Sequence, residues 1–356
     1  LITVLLQAIG GMAQPDCQFS HYSSEDGLSQ NTVMSILQDK KGMMWFSTWD
    51  GINRFDGYTF KSYKASKKNQ LPLINNRVDE MVEDGYGFLW LQTYAEQVYR
   101  FNPRTEDFEL VPAQDKDGHR AAVEAIKVLP GGSTWLLTRT SGAIRVCTSP
   151  DNFSLTSKWY CDGSGEQTEA RVFDVLEDAN GREWLLTSRG LCMIPAGGGE
   201  PVSYLADDGG LTSRQVSFRA GYDCGAEVLF GAGDGSVWSY RKSGGQFRKL
   251  TFTAGARIVS VQGLDEGQVL IVTDTNGFFV YNLPDGTSTH YGAERFPSAP
   301  LRSAYVDSSL EVWFEQEVEG TVVHFNAHTQ VLKKEVVAVE PTSTDRSRPA
   351  FHVHED

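Results

Sequence analysis

The side chains with the clearest capacity for chemistry are arginines that recur along the chain. They stand just ahead of successive alternating segments, at Arg77, Arg120, Arg171, Arg214, Arg257 and Arg302. A guanidinium group keeps its charge and offers several N–H donors in a fixed fork, so a group of arginines suits a carboxylate or a sulfate. In a chain of formal net charge −14, such a group would form a local positive field.

A second set of loops carries further candidates for ligand binding, namely Trp49, Tyr94, Arg139 and Arg189. Aromatic rings provide flat apolar surfaces on which sugars can stack. Together with the first set, these residues would form a site for an acidic oligosaccharide. The plainer alternative is that the arginines pair with neighbouring Asp and Glu residues and hold adjacent structural units together.

Catalytic, metal and cofactor chemistry have little support in the sequence. There is no HExxH or GxSxG motif, and no Cys/His pairing at a recognisable spacing. His352 and His354 share one face of an alternating segment, but two ligands make no metal site. The net negative charge argues against a nucleic-acid surface. The sequence therefore predicts no catalytic residue, no metal and no cofactor.

A repeat positions these candidates. The motif D-x-x-G-x-x-W occurs as Asp39-Gly42-Trp45 and Asp84-Gly87-Trp90, and again around Asp178, Gly181 and Trp184. With the Trp as anchor, the series reads Trp45, Trp90, Trp135, Trp184, Leu229, Ile271 and Trp313. A spacing of about 45 residues is typical of propeller blades.

Each repeat has the internal pattern of four short strands. An alternating strand ends at the Asp, a tight turn contains the Gly, and the Trp lies on the second strand. Four antiparallel strands per repeat predict an all-β fold, a seven-bladed β-propeller over residues 14–340. An open β-solenoid is the alternative. Large anchors should be buried between adjacent blades, at Trp45, Trp90, Trp135, Trp184 and Trp313.

The propeller geometry would bring both sets of loops together. The first strand of a blade is innermost, so the loop before it opens on the mouth of the central channel. Loops between second and third strands open on the same face. Residues 330–336 (QVLKKEV) should form the fourth strand of the seventh unit, which leaves the N-terminal QFSHYS without a place in the ring.

The two ends of the sequence carry further expectations. Residues 1–13 form a short apolar stretch that ends in small residues, which predicts the remnant of a secretory signal peptide. Residues 341–356 predict a linker and a truncated strand, because FHVHED repeats the pattern that precedes Asp39 and Asp84. The strand would open a following propeller.

The run GLSQNTVMSILQDKKGMMWFSTWDGINRFDGYTF, from Gly27 to Phe60, closely resembles the two-component regulator propeller repeat. The resemblance implies the periplasmic sensor region of a hybrid two-component histidine kinase anchored in the inner membrane. It further implies a second propeller and a β-sandwich domain in the same chain, a dimer, and phosphotransfer by parts of the protein absent here.

Two functions from different classes follow. The first is a ligand-sensing module that responds to polysaccharide breakdown products and signals to a histidine kinase, with no enzymatic activity in this part of the chain. The alternative is an exported propeller enzyme, a lyase or hydrolase acting on glycans.

Overall fold

The computed structural model describes residues 22–65, 73, 75–160, 170–205, 216–265, 267–292, 300–306, 310–316, 321–326 and 331–336. The predicted signal-peptide remnant (1–13) and the predicted start of a second propeller (341–356) lie outside these residues. So do Arg214 and most of QFSHYS. Within the described residues, no helix is long and apolar enough to cross a membrane.

The described residues form seven antiparallel sheets, each made of four consecutive strands in chain order. The first strands are β1 (Val33–Gln38), β5 (Val78–Glu83), β9 (Val123–Val128), β13 (Val172–Glu177), β17 (Phe218–Asp223), β21 (Ile258–Asp265) and β25 (Leu301–Val306). The second strands are β2 (Met44–Thr48), β6 (Leu89–Thr93), β10 (Ser133–Thr138), β14 (Glu183–Thr187), β18 (Glu227–Ala232), β22 (Gln268–Thr273) and β26 (Glu311–Gln316).

The outer half of each sheet follows the same order. The third strands are β3 (Gly51–Phe55), β7 (Val98–Asn102), β11 (Ala143–Thr148), β15 (Gly190–Ile194), β19 (Ser236–Arg241), β23 (Phe278–Asn282) and β27 (Thr321–Asn326). The fourth strands are β4 (Phe60–Tyr63), β8 (Asp107–Leu110), β12 (Leu155–Tyr160), β16 (Val202–Leu205), β20 (Gln246–Thr253), β24 (Thr287–Tyr291) and β28 (Val331–Val336). A 3-10 turn at Ser24–Asp26 precedes the first blade. The predicted all-β, seven-bladed propeller is confirmed.

The first strands lie innermost and contact one another from blade to blade. β1 contacts β5, β5 contacts β9, and the run from β13 through β17 and β21 to β25 is continuous. The apolar core lies between successive sheets as six clusters, one at each step from the first sheet to the seventh. Each blade therefore depends on its neighbours for burial of its two faces.

The repeated Asp ties the first turn of a blade to its buried Trp. One Asp39 oxygen accepts the backbone N–H groups of Lys41 and Met43, both at 2.9 Å. The other accepts the indole N–H of Trp45 at 2.9 Å. Gly42 completes the turn at φ 82°, a left-handed conformation that favours glycine. The motif is thus a closed hydrogen-bonded unit.

The second and fourth blades repeat this unit. Asp84 accepts the indole N–H of Trp90 at 2.9 Å, and Asp178 accepts that of Trp184 at 3.0 Å. In the third blade, Leu129 stands where the Asp would be, and Trp135 donates instead to Glu183 of the next blade at 3.1 Å. All four indoles are fully buried, as predicted.

The anchor of the sixth blade differs from the predicted one by a single residue. In the other sheets, the residue three positions after the anchor pairs with the first residue of the first strand. In the sixth sheet this pair is Thr273 and Ile258, which makes Leu270 the anchor and not Ile271. Asp265 lies seven residues after Ile258, the first residue of its strand, whereas Asp39 lies six residues after Val33. An additional register shift between Gly263 and Asp265 accommodates the extra residue, so a count of six from Asp265 passes the anchor by one.

The seventh blade departs from the prediction in one respect and confirms it in another. Trp313 is half-buried rather than buried. Among the described residues, none of the six apolar clusters includes Trp313, and none lies between the seventh sheet and the first. β28 pairs with β27, which confirms that the seventh blade supplies its own fourth strand.

Every first strand carries a β-bulge at its second position. The register with the second strand shifts there in all seven sheets. The extra residues are Met34, Asp79, Glu124, Phe173, Arg219, Val259 and Arg302. A bulged residue makes no ladder hydrogen bonds and re-aims its side chain. The bulges therefore supply a ring of unpaired positions at one end of the first strands.

Removal of an anchor should expose the dependence of one blade on the next. Trp45→Ala is expected to lower the free energy of unfolding by about 3–5 kcal/mol, because the indole is fully buried against the second sheet. Denaturant unfolding followed by circular dichroism measures the loss. Tyr58→Ala, at a ring that is 92% exposed, is the control and should change stability by less than about 0.5 kcal/mol. A loss below 1 kcal/mol for Trp45→Ala would contradict the packing described.

The Asp–Trp unit should also be visible in the pH dependence of stability. Burial alone would raise the pKa of Asp178, but hydrogen bonds from Trp184, Arg182 and Asn180 together lower it below the ordinary 3.8. A carboxyl with a lowered pKa stabilises the fold above its ordinary pKa, and this contribution disappears as pH falls through the folded value.

Asp178→Asn should therefore cost about 1.5–3 kcal/mol at pH 7, and the difference from wild type should shrink below about pH 4. Urea unfolding between pH 7 and pH 3 measures it. Asp151→Asn, at an exposed turn residue, is the matched control. A wild-type advantage that grows on acidification would refute the assignment.

Candidate ligand-binding face

The loops before the first strands and the loops between second and third strands form one surface, which we call the upper face. Their backbones are hydrogen-bonded to each other in successive blades: the N–H of Tyr94 donates to the carbonyl of Arg77 at 3.1 Å, and the N–H of Asp274 donates to that of Arg257 at 2.9 Å. The N–H of Arg139 donates in the same way to Ala122. The prediction that both sets of loops share a face is confirmed.

The recurrence of arginine on this face is less regular than the sequence suggested. The residues immediately before the seven first strands are Thr32, Arg77, Ala122, Arg171, Ser217, Arg257 and Pro300. Arg120 lies two residues ahead of this position, and Arg302 lies within β25, at the bulge. The prediction that Arg120 and Arg302 stand immediately before a first strand is therefore wrong, because the sequence pattern does not fix the exact residue at which each strand begins. Arg77, Arg171 and Arg257 are at the predicted position.

Three of the predicted residues form a contiguous group, which we call the aromatic patch. The Arg77 guanidinium lies 4.4 Å from the centre of the Tyr94 ring and 5.2 Å from that of Trp49. The two rings come from adjacent blades and are 60% and 38% exposed, respectively. Arg77 is held in place by Asp79, the bulge residue of its own strand, at 2.8 Å. The patch thus presents two aromatic surfaces around one cation.

Most other predicted arginines are ion-paired or hydrogen-bonded to neighbouring residues. Arg139 of the third blade contacts Glu96 of the second at 2.6 Å. Arg171 of the fourth contacts Glu124, the bulge residue of the third, at 2.7 Å. These two pairs join adjacent blades, as the plainer alternative predicted.

The remaining predicted arginines are held in different ways. Arg257 contacts Asp274 of its own blade at 3.0 Å. Arg120 donates to the carbonyl of Ala95 at 2.6 Å, and Arg189 is half-buried. The members of this set whose side chains the structure describes, Arg77, Arg120, Arg171 and Arg257, therefore do not form a ring of free cations.

The sequence prediction missed Arg219. This half-buried residue is the bulge of β17 and lies 3.9 Å above the Phe173 ring, itself the bulge of the fourth blade. Arg171 contacts the same ring at 5.5 Å. In the part of the chain that the structure describes, the buried Nε of Arg219 has no hydrogen-bond partner. A strand-initial arginine gives no such signal in sequence, because the bulge that re-aims it is not visible there.

A cavity of about 520 Å³ opens beside this group, and we call it the arginine cavity. Its lining includes Phe173, Arg219, Arg257, Asp274 and Pro300, from the fourth to the seventh blades. Burial lowers the pKa of the Arg219 guanidinium, the positive charges of Arg257 and Arg171 lower it further, and Asp274 partly opposes them. Repulsion between like charges is therefore built into the cavity.

A small acidic group lies away from both sites, in the connection between β8 and β9. Oxygen and nitrogen atoms of Asp115, Asp117 and His119 lie within 4.8 Å of one another and are largely exposed. An Asp115 oxygen already accepts the backbone N–H groups of the other two residues, at 2.9 Å. The group is accounted for as a turn.

Comparison with known proteins gives two kinds of likeness. The two-component regulator propeller family matches residues 27–50. Histidine kinase P4 from Formosa agariphila is 47% identical over 51 residues, which are 14% of this chain and 4% of that protein.

Among solved structures, the extracellular domains of two hybrid two-component systems from B. thetaiotaomicron are similar, with TM-scores of 0.55 and 0.51 and identities of 20% and 19%. They match 86% and 82% of this chain, which spans 42% and 38% of theirs. Virginiamycin B lyase from Staphylococcus aureus shares the fold at 14% identity, with a TM-score of 0.52 over 80% of this chain and 92% of its own. At these identities the structures establish the propeller fold. The chain therefore carries a two-component regulator propeller repeat, which begins its first blade within a seven-bladed β-propeller.

Proposed function

We propose that this propeller is the ligand-sensing module of an exported two-component sensor, that it responds to polysaccharide breakdown products, and that it signals to a histidine kinase in another part of the same protein. The observation that carries the proposal is the aromatic patch on the upper face. It is an exposed group of two aromatic rings and a cation. The group lies on the first blade, where the family repeat matches, and on the second blade next to it.

The chemistry of the aromatic patch suits a sugar. Trp49 and Tyr94 offer flat apolar surfaces to the C–H faces of a pyranose. Arg77 and Asp79 lie beside them and offer N–H donors and carboxylate acceptors to hydroxyl groups. The patch costs little to organise, because the ion pair and the two ring contacts already hold the guanidinium in position.

The proposed partner domains are based on the similar solved structures. The similar solved structures are extracellular parts of hybrid two-component systems, and this chain spans about two fifths of each. We infer that a second propeller, a β-sandwich domain and a membrane-anchored kinase complete the protein, that it is a dimer, and that the propeller faces the periplasm. Arg120, Arg189 and Arg302 are secondary candidates for ligand contacts, and Arg214 is a further one that lies outside the described residues.

Sugar binding at the aromatic patch can be measured directly. Titration calorimetry of the chain against a panel of neutral and uronate-containing oligosaccharides should find at least one ligand. The double variant Trp49→Ala, Tyr94→Ala should bind it at least tenfold more weakly, because both stacking surfaces are lost. Tyr58→Ala, an exposed aromatic at the opposite end of the first blade, is the matched control and should bind as wild type does.

Product analysis of the same mixtures distinguishes a sensor from an exported propeller enzyme. Mass spectrometry after prolonged incubation should recover the oligosaccharides unchanged. Cleaved or unsaturated products in the wild-type sample would favour the enzyme. Binding that is equal in the double variant and in wild type would refute the aromatic patch as the site.

A further inference from the structure

The arginine cavity holds one more positive charge than its acidic neighbours neutralise. Arg171 is paired with Glu124, and Arg257 is paired with Asp274. Arg219 lies between them and, within the described residues, contacts a ring and no carboxylate. The excess is local, since the whole chain has a formal net charge of −14.

This arrangement is costly for the empty protein. A buried N–H without a partner loses its hydrogen bond to water and gains none in return. Two further guanidiniums nearby repel the charge of Arg219, and the protein offers it only the face of Phe173. A structural role would place an acid at this position, as it does for Arg77, Arg139 and Arg171. Among the described residues, no acid is paired with Arg219 in this way.

We propose that Arg219, flanked by Arg171 and Arg257, binds one oxyanion in the arginine cavity, namely the carboxylate or sulfate group of an acidic saccharide. That the anion belongs to a saccharide rests on the proposed function, whereas the oxyanion itself does not. The part of the Arg219 guanidinium that lines the cavity can donate N–H groups to two oxygens at once, which is the geometry that suits carboxylate and sulfate. Among the described residues that line the cavity, Asp274 is the one carboxylate, and Arg257 already engages it.

The cavity also fits such a ligand in size and in composition. A volume of about 520 Å³ is within the range of small-molecule sites and admits one or two sugar rings. Val259 and Leu301 supply apolar lining beside the charged group. The mouth lies on the upper face, since Arg257 and Pro300 immediately precede first strands.

Two measurements on the whole chain test the proposal. In thermal unfolding, sodium sulfate should raise the melting temperature of wild type more than that of Arg219→Gln at equal ionic strength, beyond the general stabilisation by sulfate that both proteins share. In calorimetry, a galacturonate trimer should bind wild type at least tenfold more tightly than a neutral galactose trimer, and Arg219→Gln should remove the preference. Arg248→Gln, which removes the same charge from the exposed outer strand β20, is the control and should behave as wild type.

A third readout separates a binding role from a structural one. Without added anion, Arg219→Gln should be no less stable than wild type, because it removes an unpaired charge, whereas Arg171→Gln should be less stable because it leaves Glu124 unpaired. Sulfate stabilisation as large as that of wild type, or an undiminished uronate preference, in Arg219→Gln would overturn the proposal, even if neutral sugars bind at the aromatic patch. Arg219-dependent sulfate binding without any saccharide binding would support the oxyanion site and refute the sugar-sensing function.

Discussion

The hydrogen bond between a buried aspartate and the indole six residues later is the interaction on which the first, second and fourth blades depend. Asp39, Asp84 and Asp178 each use one oxygen to close a turn and the other to fix a Trp on the next strand. Because the indole packs against the following blade, each bond also sets how two sheets meet. A local turn thereby controls the longest-range packing in the molecule.

The same geometry determines what the upper face can present. The turn between the first and second strands fixes one end of the first strand. At its other end, the β-bulge determines which side chain is released from the hydrogen-bonded ladder of the two strands. In some blades the freed residue is an acid that holds an arginine, as Asp79 holds Arg77 and Glu124 holds Arg171. In the fifth blade it is Arg219, which has no acid to hold it among the described residues. Blade packing and ligand chemistry thus use opposite ends of one strand.

Much of this architecture could be predicted from the sequence, because the Asp, Gly and Trp positions reflect local requirements for a turn and for a large buried ring. The register of the sixth blade could not be predicted, because an additional register shift places Asp265 one residue later in its strand than Asp39 lies in the first, and a count from Asp265 then gives Ile271 instead of Leu270. The hydrogen-bond partner of Trp135 could not be predicted either, because Glu183 belongs to the next repeat.

The candidate site was predictable only in part, for a related reason. The grouping of Trp49, Arg77 and Tyr94 follows from which loops share a face, and that follows from the strand count alone. The role of Arg219 depends on a bulge and on a ring from another blade. Contacts of this kind arise from the twist of neighbouring sheets and leave no periodic mark in the chain.

The central claim is that strand-end bulges leave one guanidinium on the upper face prepared for an anion. Crystallography of the chain soaked with selenate, located by its anomalous scattering, tests this most directly. We expect an anomalous peak within hydrogen-bonding distance of the Arg219 guanidinium, beside Phe173 and Arg257. Ordered selenate elsewhere on the molecule with the arginine cavity empty, or a carboxylate of the same chain bound to Arg219, would contradict it.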